Sequence, residues 1–254
     1  MAAYTGRGLH GQTVETLGQR IVGGGLGEGE TIDVAALRDE LDLSVTAIRE
    51  ALRVLAAKGL VDARQKRGTY VLPRAHWNLL DDDVARWQLS GTVDRGLLRD
   101  LHEVRAIVEP AAAELAAARR SEADLAELDA ALARMATAVG PGSAGDAVSA
   151  DLAFHRTLLA ASHNELLARM EVVIEAGLAQ RDRLVHSAEP GHDPVPAHRS
   201  VLEAIRRQDP AAARRAVGAL LATSAADLSR LHPAAGFPGL AGESEAPVTP
   251  AEAP

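Results

Sequence analysis

The chain has 254 residues, 47% apolar and 24% charged, values of a globular protein of one large domain or two ordinary ones. It has no cysteine, which excludes disulfides, Cys-based zinc fingers, iron–sulfur clusters and thiol catalysis. The net charge of −8 argues against nucleic acid, but residues 44–76 hold seven Lys and Arg against two Asp and Glu, while residues 77–254 hold 17 against 26. A basic segment on an acidic chain suggests a nucleic-acid module joined to something else.

In chain order, residues 1–11 are Gly-rich and expected to be disordered. Val14, Leu17, Ile21 and Val22 recur at helical spacing over 13–22, and Gly23-Gly24-Gly25 ends that helix. Asp33 is an N-cap for a helix through 41, and Ser44 for a third, with Ile48, Leu52 and Leu55 on one face and its end at Lys58-Gly59. Two short β-type runs, 60–63 and 69–72, flank the turn Arg64-Gln65-Lys66-Arg67-Gly68 and predict a hairpin that Pro73 stops. Everything beyond predicts helix: 81–88, 94–119, 121–139 behind a Ser121/Asp124 capping box, 147–161, 165–187, 197–207 and 210–231. The tail 232–254, rich in Pro, Ala, Gly and Glu, is expected to be disordered. Only 2% of residues are aromatic, so the core rests on Ala, Leu and Val, which favour helix. No stretch of the ~18 apolar residues needed to span a bilayer occurs, nor a signal peptide, so a cytoplasmic location with no membrane partner is expected.

Three helices and a hairpin are the order of a winged helix-turn-helix whose third helix enters the major groove. Ser44, Thr46 and Arg49 stand at its start; hydroxyls reach phosphates, and Arg bonds a guanine edge with two hydrogen bonds. The wing tip offers Arg64, Lys66, Arg67 and the turn glycine Gly68 to the phosphate backbone or minor groove. Ser44-Val45-Thr46-Ala47-Ile48-Arg49-Glu50-Ala51-Leu52-Arg53, then Lys58-Gly59-Leu60-Val61 and Arg67-Gly68-Thr69-Tyr70-Val71, resemble the DNA-binding domain of the GntR family of bacterial transcription regulators across residues 12–73. That family usually has Arg where Val45 stands and Pro where Ala47 stands, and some members have Arg at Ala35. These departures weaken transfer of base specificity, not of fold.

Leu101-His102-Glu103-Val104-Arg105-Ala106-Ile107-Val108-Glu109-Pro110, Asp151-Leu152-Ala153-Phe154-His155, Ser162-His163-Asn164 and Ala197-His198-Arg199 resemble the effector domain of the FadR subfamily, called FCD, over roughly 77–231. The resemblance implies an antiparallel helical bundle that binds a small carboxylate, often with a divalent metal, and dimerises. Asp151 and His155, at i and i+4, share a helix face. They form an ion pair or, with His198, a site for Zn, Ni or Mn. The family's fourth ligand, a His, falls where Leu220 stands; His186 and His192 do not replace it. Three ligands plus water or an effector carboxylate make an open site; the alternative is a metal-free polar pocket. Arg105 either pairs with Glu109 on its own helix or grips the effector carboxylate through paired hydrogen bonds. Asn164 is an N-cap or an effector contact. The segment 72–87, holding Trp77 and Trp87, is similar to the linker of gluconate- and galactonate-responsive members.

The expected protein is mostly α: a winged helix-turn-helix over 12–73, a linker over 74–80 and a helical bundle over 81–231. It is expected to be a homodimeric regulator, with repression the family habit, that binds inverted-repeat operator DNA and answers to a small carboxylate such as a sugar acid. The competing reading is a metal-dependent hydrolase or isomerase in the bundle, with the DNA module as an appendage. It lacks an identifiable second acid or base beside Asp151 and His155, and the chain has no P-loop, nucleophile elbow or Rossmann fingerprint.

Overall fold

The structure, a computed structural model, describes residues 8–90, 95–138, 144–175, 177–178 and 193–231. Three helices come first: α1 (Leu9–Val22), α2 (Val34–Leu41) and α3 (Val45–Ala57). The side chain of Asp33 accepts from the Ala35 and Ala36 N–H groups, and Ser44 Oγ accepts from the Ala47 N–H at 3.1 Å, so both predicted caps form. Leu9–Gly11 are helical, which corrects the expectation of disorder through residue 11. The helix reaches that far because Gly8 precedes it and its next turns bury Val14 and Leu17.

The hairpin pairs β1 (Val61–Arg64) with β2 (Gly68–Val71), Val61 opposite Val71 and Arg64 opposite Gly68. A short extended stretch joins its other edge: Ile32 N–H donates to Thr69 O at 2.8 Å, and Val71 N–H to Glu30 O at 3.0 Å. One core results, with Leu17, Ile21, Ile48, Leu55, Leu60 and Val71 buried together.

After a 3₁₀ turn at Arg74–His76 comes α4 (Asp82–Ser90). The expected boundary before residue 81 falls just ahead of a helix that enters two cores. Val84 and Trp87 are buried with α1 and α3, and a Cβ on Gly18 of α1 would lie 2.4 Å from the Trp87 ring. Leu89 is buried with Leu101 and Val173 of the helical domain. Ion pairs hold α4 to the first module. Lys58 Nζ lies 2.7 Å from Asp81 Oδ1 and 2.8 Å from Asp83 Oδ2, and Arg86 bridges Glu15 at 2.5 Å and Asp83 at 2.8 Å.

The helical domain comprises α5 (Arg95–Arg119), α6 (Glu122–Thr137), α7 (Ala144–Ala160), α8 (Glu165–Arg169), α9 (Val195–Arg206) and α10 (Pro210–Leu231). The Ser121/Asp124 capping box opens α6 as predicted. The helix expected over 165–187 breaks at Met170 and resumes at residue 171; residues 179–192, His186 and His192 among them, lie outside the described set, as do the loop 139–143 and the tail 232–254. Helices α5 and α10 run antiparallel. Arg120 at the end of α5 donates to Arg206 O just before α10, and Arg214, on the first turns of α10, pairs with Glu114 at 2.8 Å. The core is Ala-rich, as composition requires, with Ala113, Ala116, Ala131 and Ala213 around Leu128, Phe154, Leu158 and Leu202. No helix of the described residues is long and apolar enough to cross a membrane.

Candidate functional site

Two places concentrate chemistry. On the first, the start of α3 and the hairpin turn, Thr46 and Arg49 are exposed, and among the described residues Arg49 forms no ion pair. Ser44 is exposed too, but its Oγ accepts from the Ala47 N–H as a cap. At the wing tip Lys66 adopts φ 69° and Gly68 φ 82°, the left-handed backbone that turns the chain. Arg67, expected as a phosphate contact, is exposed and is also held in place. Its guanidinium stacks 3.8 Å from the Tyr70 ring centroid and donates to Gly29 O at 3.0 Å. Tyr70 OH in turn donates to Asp62 Oδ2 at 2.9 Å. Arg67 therefore braces the wing, and Arg64, Lys66 and Arg67 are all exposed at its tip.

If Arg49 reads a base edge, Arg49→Ala costs ~1–3 kcal/mol on the recognised sequence and little on scrambled DNA. Lys66→Ala weakens both alike and lowers the salt slope by ~1. Anisotropy titrations at several salt concentrations separate the two; identical losses on both sequences for Arg49→Ala would deny it a base contact.

The second place lies inside the bundle, where α5, α7 and α9 meet. One ligand atom from each of Asp151, His155 and His198 lies within 4.8 Å of the others, and all three residues are buried. The helices fix them. Asp151 and His155 are one turn apart on α7, with Phe154 between them wedged edge-on against His198 at 4.9 Å between ring centroids. His198 Nδ1 lies 2.8 Å from Pro194 O. A carbonyl can only accept, so the proton sits on Nδ1 and Nε2 faces Asp151 Oδ1 at 2.9 Å. His155 Nδ1 lies 2.9 Å from Glu109 Oε2, which favours a proton there and leaves Nε2 toward Asp151 Oδ1, 3.8 Å away. Without a positive charge between them, a carboxylate and two imidazole lone pairs repel. Neither His198 Nε2 nor His155 Nδ1 has an aligned hydrogen bond among the described residues, although each lies 2.9 Å from a carboxylate oxygen.

Arg105 is 4% exposed and enters this cluster from α5. Its Nε donates to Glu109 Oε1 at 2.5 Å, and its Nη2 lies 3.4 Å from His155 Nε2. Arg105 thus pairs along its own helix, the first of its two expected roles, and faces the interior beside the candidate ligands. Burial alone would raise the pKa of Glu109, but Arg105 and His155 overcome it and hold the carboxyl at about 2. Asn164 accepts from the Leu166 and Leu167 N–H groups, the N-cap role. Leu220 is buried among Phe154, Val201 and Leu221 and offers no ligand atom. Sequence reasoning missed the pairing of Glu109 with His155 and the burial of His102. The visible signal was that His102, Arg105 and Glu109 fall at i, i+3 and i+7, a polar stripe along one face of α5.

Comparison with known proteins matches these two places. The family description "Bacterial regulatory proteins, gntR family" matches residues 9–71, and "FCD domain" matches residues 100–223. The chain is 34% identical over 223 residues to the galactonate operon transcriptional repressor of Escherichia coli, covering 86% of this chain and 96% of that one. It is 39% identical over 148 residues to the regulator LutR of Bacillus subtilis, covering 58% and 65%. The fold is shared with Lar of Listeria monocytogenes, at a TM-score of 0.64 and 20% identity over 89% of this chain and 98% of that one. The chain belongs to the GntR family, as a ligand-responsive DNA-binding transcription regulator with an N-terminal winged helix-turn-helix and a C-terminal FCD domain.

Proposed function

We propose that the protein is a cytoplasmic homodimeric repressor, not an enzyme, that binds an inverted-repeat operator and releases it when a small carboxylate such as a sugar acid enters the helical domain. Convergence of Asp151, His155 and His198 beside buried Arg105 carries this reading, because such a cluster suits an anionic group held between a guanidinium and a cation. The name of the galactonate operon repressor supports both the sign of regulation and the effector class. Ser44, Thr46, Arg49, Arg64, Lys66 and Gly68 form the DNA face, with Arg67 supporting it. Asn164 serves the fold as a helix cap and is given no effector contact. The domains we assign are 9–80 for DNA binding and 95–231 for effector binding, with α4 between them.

The donor set fits a divalent cation such as Zn, Ni or Mn. Two imidazole nitrogens and one carboxylate oxygen suit a first-row ion, and Glu109 and Pro194 O orient the imidazoles from behind. A bound cation would supply positive charge for an effector carboxylate. Asp151, His155 and His198 would hold it, and Arg105 would orient the anion. Binding at α5 reaches the DNA module through Leu101, which packs on Leu89 of α4.

Three protein ligands predict chelator-reversible metal occupancy, and Leu220→His, which adds an imidazole to the same wall, should tighten it. Elemental analysis after incubation with zinc, nickel or manganese tests this. If neither wild type nor Leu220→His retains metal, the cluster is a hydrogen-bonding pocket without an ion.

A further inference from the structure

Ser224 is the one polar residue among the described buried positions of α10, where Ala213, Val217, Leu220, Leu221 and Ala225 are all apolar. It is 4% exposed, and its Oγ has no hydrogen-bond partner among the described residues. A helical serine has an easy partner in the carbonyl one turn back. Thr223 uses it, donating to Ala219 O at 3.1 Å, and Ser200 donates to Pro196 O at 3.0 Å. Ser224 does not. A buried hydroxyl left unpaired costs stability, so an alanine would serve the fold better.

Its height in the bundle says what it could meet. Because α10 runs antiparallel to α5 and Arg214 pairs with Glu114, the step from Arg214 to Ser224 is matched by the step from Glu114 to Val104. Ser224 therefore lies about level with Arg105, each on the buried face of one of two neighbouring helices.

We infer that Ser224 is a specificity-determining residue of the effector pocket: its Oγ takes a hydroxyl of the effector while the carboxylate lies toward Arg105. The inference rests on the carboxylate-pocket reading above. The ligand class is thereby narrowed to hydroxy acids whose hydroxyl lies on the α10 side. A serine hydroxyl both donates and accepts, so it can bond a substrate hydroxyl in either sense, and a ligand without one leaves it unpaired.

The test is calorimetric titration of the full-length protein with D-galactonate and with hexanoate, a carboxylate of the same chain length bearing no hydroxyl. Ser224→Ala should weaken galactonate about tenfold, the size of one hydrogen bond, and leave hexanoate unchanged. Ser224→Thr, which keeps the hydroxyl, should retain the preference for galactonate. Ligand-free Ser224→Ala should melt no lower than wild type, so the loss is not one of folding. Equal galactonate affinity in wild type and Ser224→Ala overturns the inference and leaves the pocket reading standing. So does an equal loss for both ligands, or a wild type that takes hexanoate but not galactonate. A wild type that binds neither overturns the pocket reading and the inference together.

Discussion

Glu109→Ala should destabilise the folded protein by about 3–5 kcal/mol, the usual cost of stripping one partner from a buried ion pair. Glu109 is 0% exposed and lies against both the Arg105 guanidinium and His155 Nδ1. Its removal leaves a buried guanidinium without the carboxylate that it pairs with on its own helix. Glu109→Gln keeps the shape and some hydrogen bonding, so its loss should be smaller. Urea unfolding with an unchanged slope gives the difference. A loss under about 1 kcal/mol for the alanine variant would mean that Glu109 does not carry the charge of Arg105.

Gly59→Ala is the second large effect. Gly59 has φ 77°, a region that costs an L-residue with a side chain about 1–2 kcal/mol, and its added Cβ would lie 2.2 Å from His76 O. That oxygen is backbone, and it stands where the chain leaves the hairpin for α4; Asn78 N–H donates to Lys58 O beside it at 3.0 Å. Relief requires moving the connection itself, which adds about 1–3 kcal/mol. The expected outcome is a variant with lowered melting temperature and loosened seating of α4. Its DNA affinity should fall, whereas Gly218→Ala, on α10 with open space around the added Cβ, should be mild. Circular dichroism melts of both, with DNA anisotropy at a temperature where each is folded, check this.

The N-terminal module was legible because its signals are local. Asp33 and Ser44 cap the helices they begin, and Ile48, Leu52 and Leu55 bury the face their spacing marked. The helical domain was legible as helices but not as faces. On α5 the apolar residues at helical spacing are Leu97, Leu101, Val104, Val108 and Leu115; Leu101 is buried, and the other four are only partly so. The buried stripe also contains His102, Arg105, Glu109, Ala112 and Ala116, because Arg105 and Glu109 turn inward to each other and to His155 of α7. A periodicity count scores such residues as surface. The role of α4 was hidden for another reason: Trp87 and Leu89, two residues apart, are buried in different cores, which helical periodicity alone does not encode. The stacking of Arg67 on the Tyr70 ring was not legible, because the charge shows in the sequence and the ring contact does not.

The central claim is that the buried cluster beside Arg105 takes a carboxylate effector and that this governs DNA binding. Its most direct measurement is release of the protein from DNA upstream of its own gene as galactonate is added, for wild type and Arg105→Ala in parallel. Both should bind the DNA alike before addition, at a temperature where melts show each to be folded, since Arg105 is buried in the helical domain and absent from the DNA face. Wild type should then dissociate with rising galactonate, while Arg105→Ala stays bound at every concentration that releases wild type. Release of Arg105→Ala at the same concentration as wild type would contradict the account.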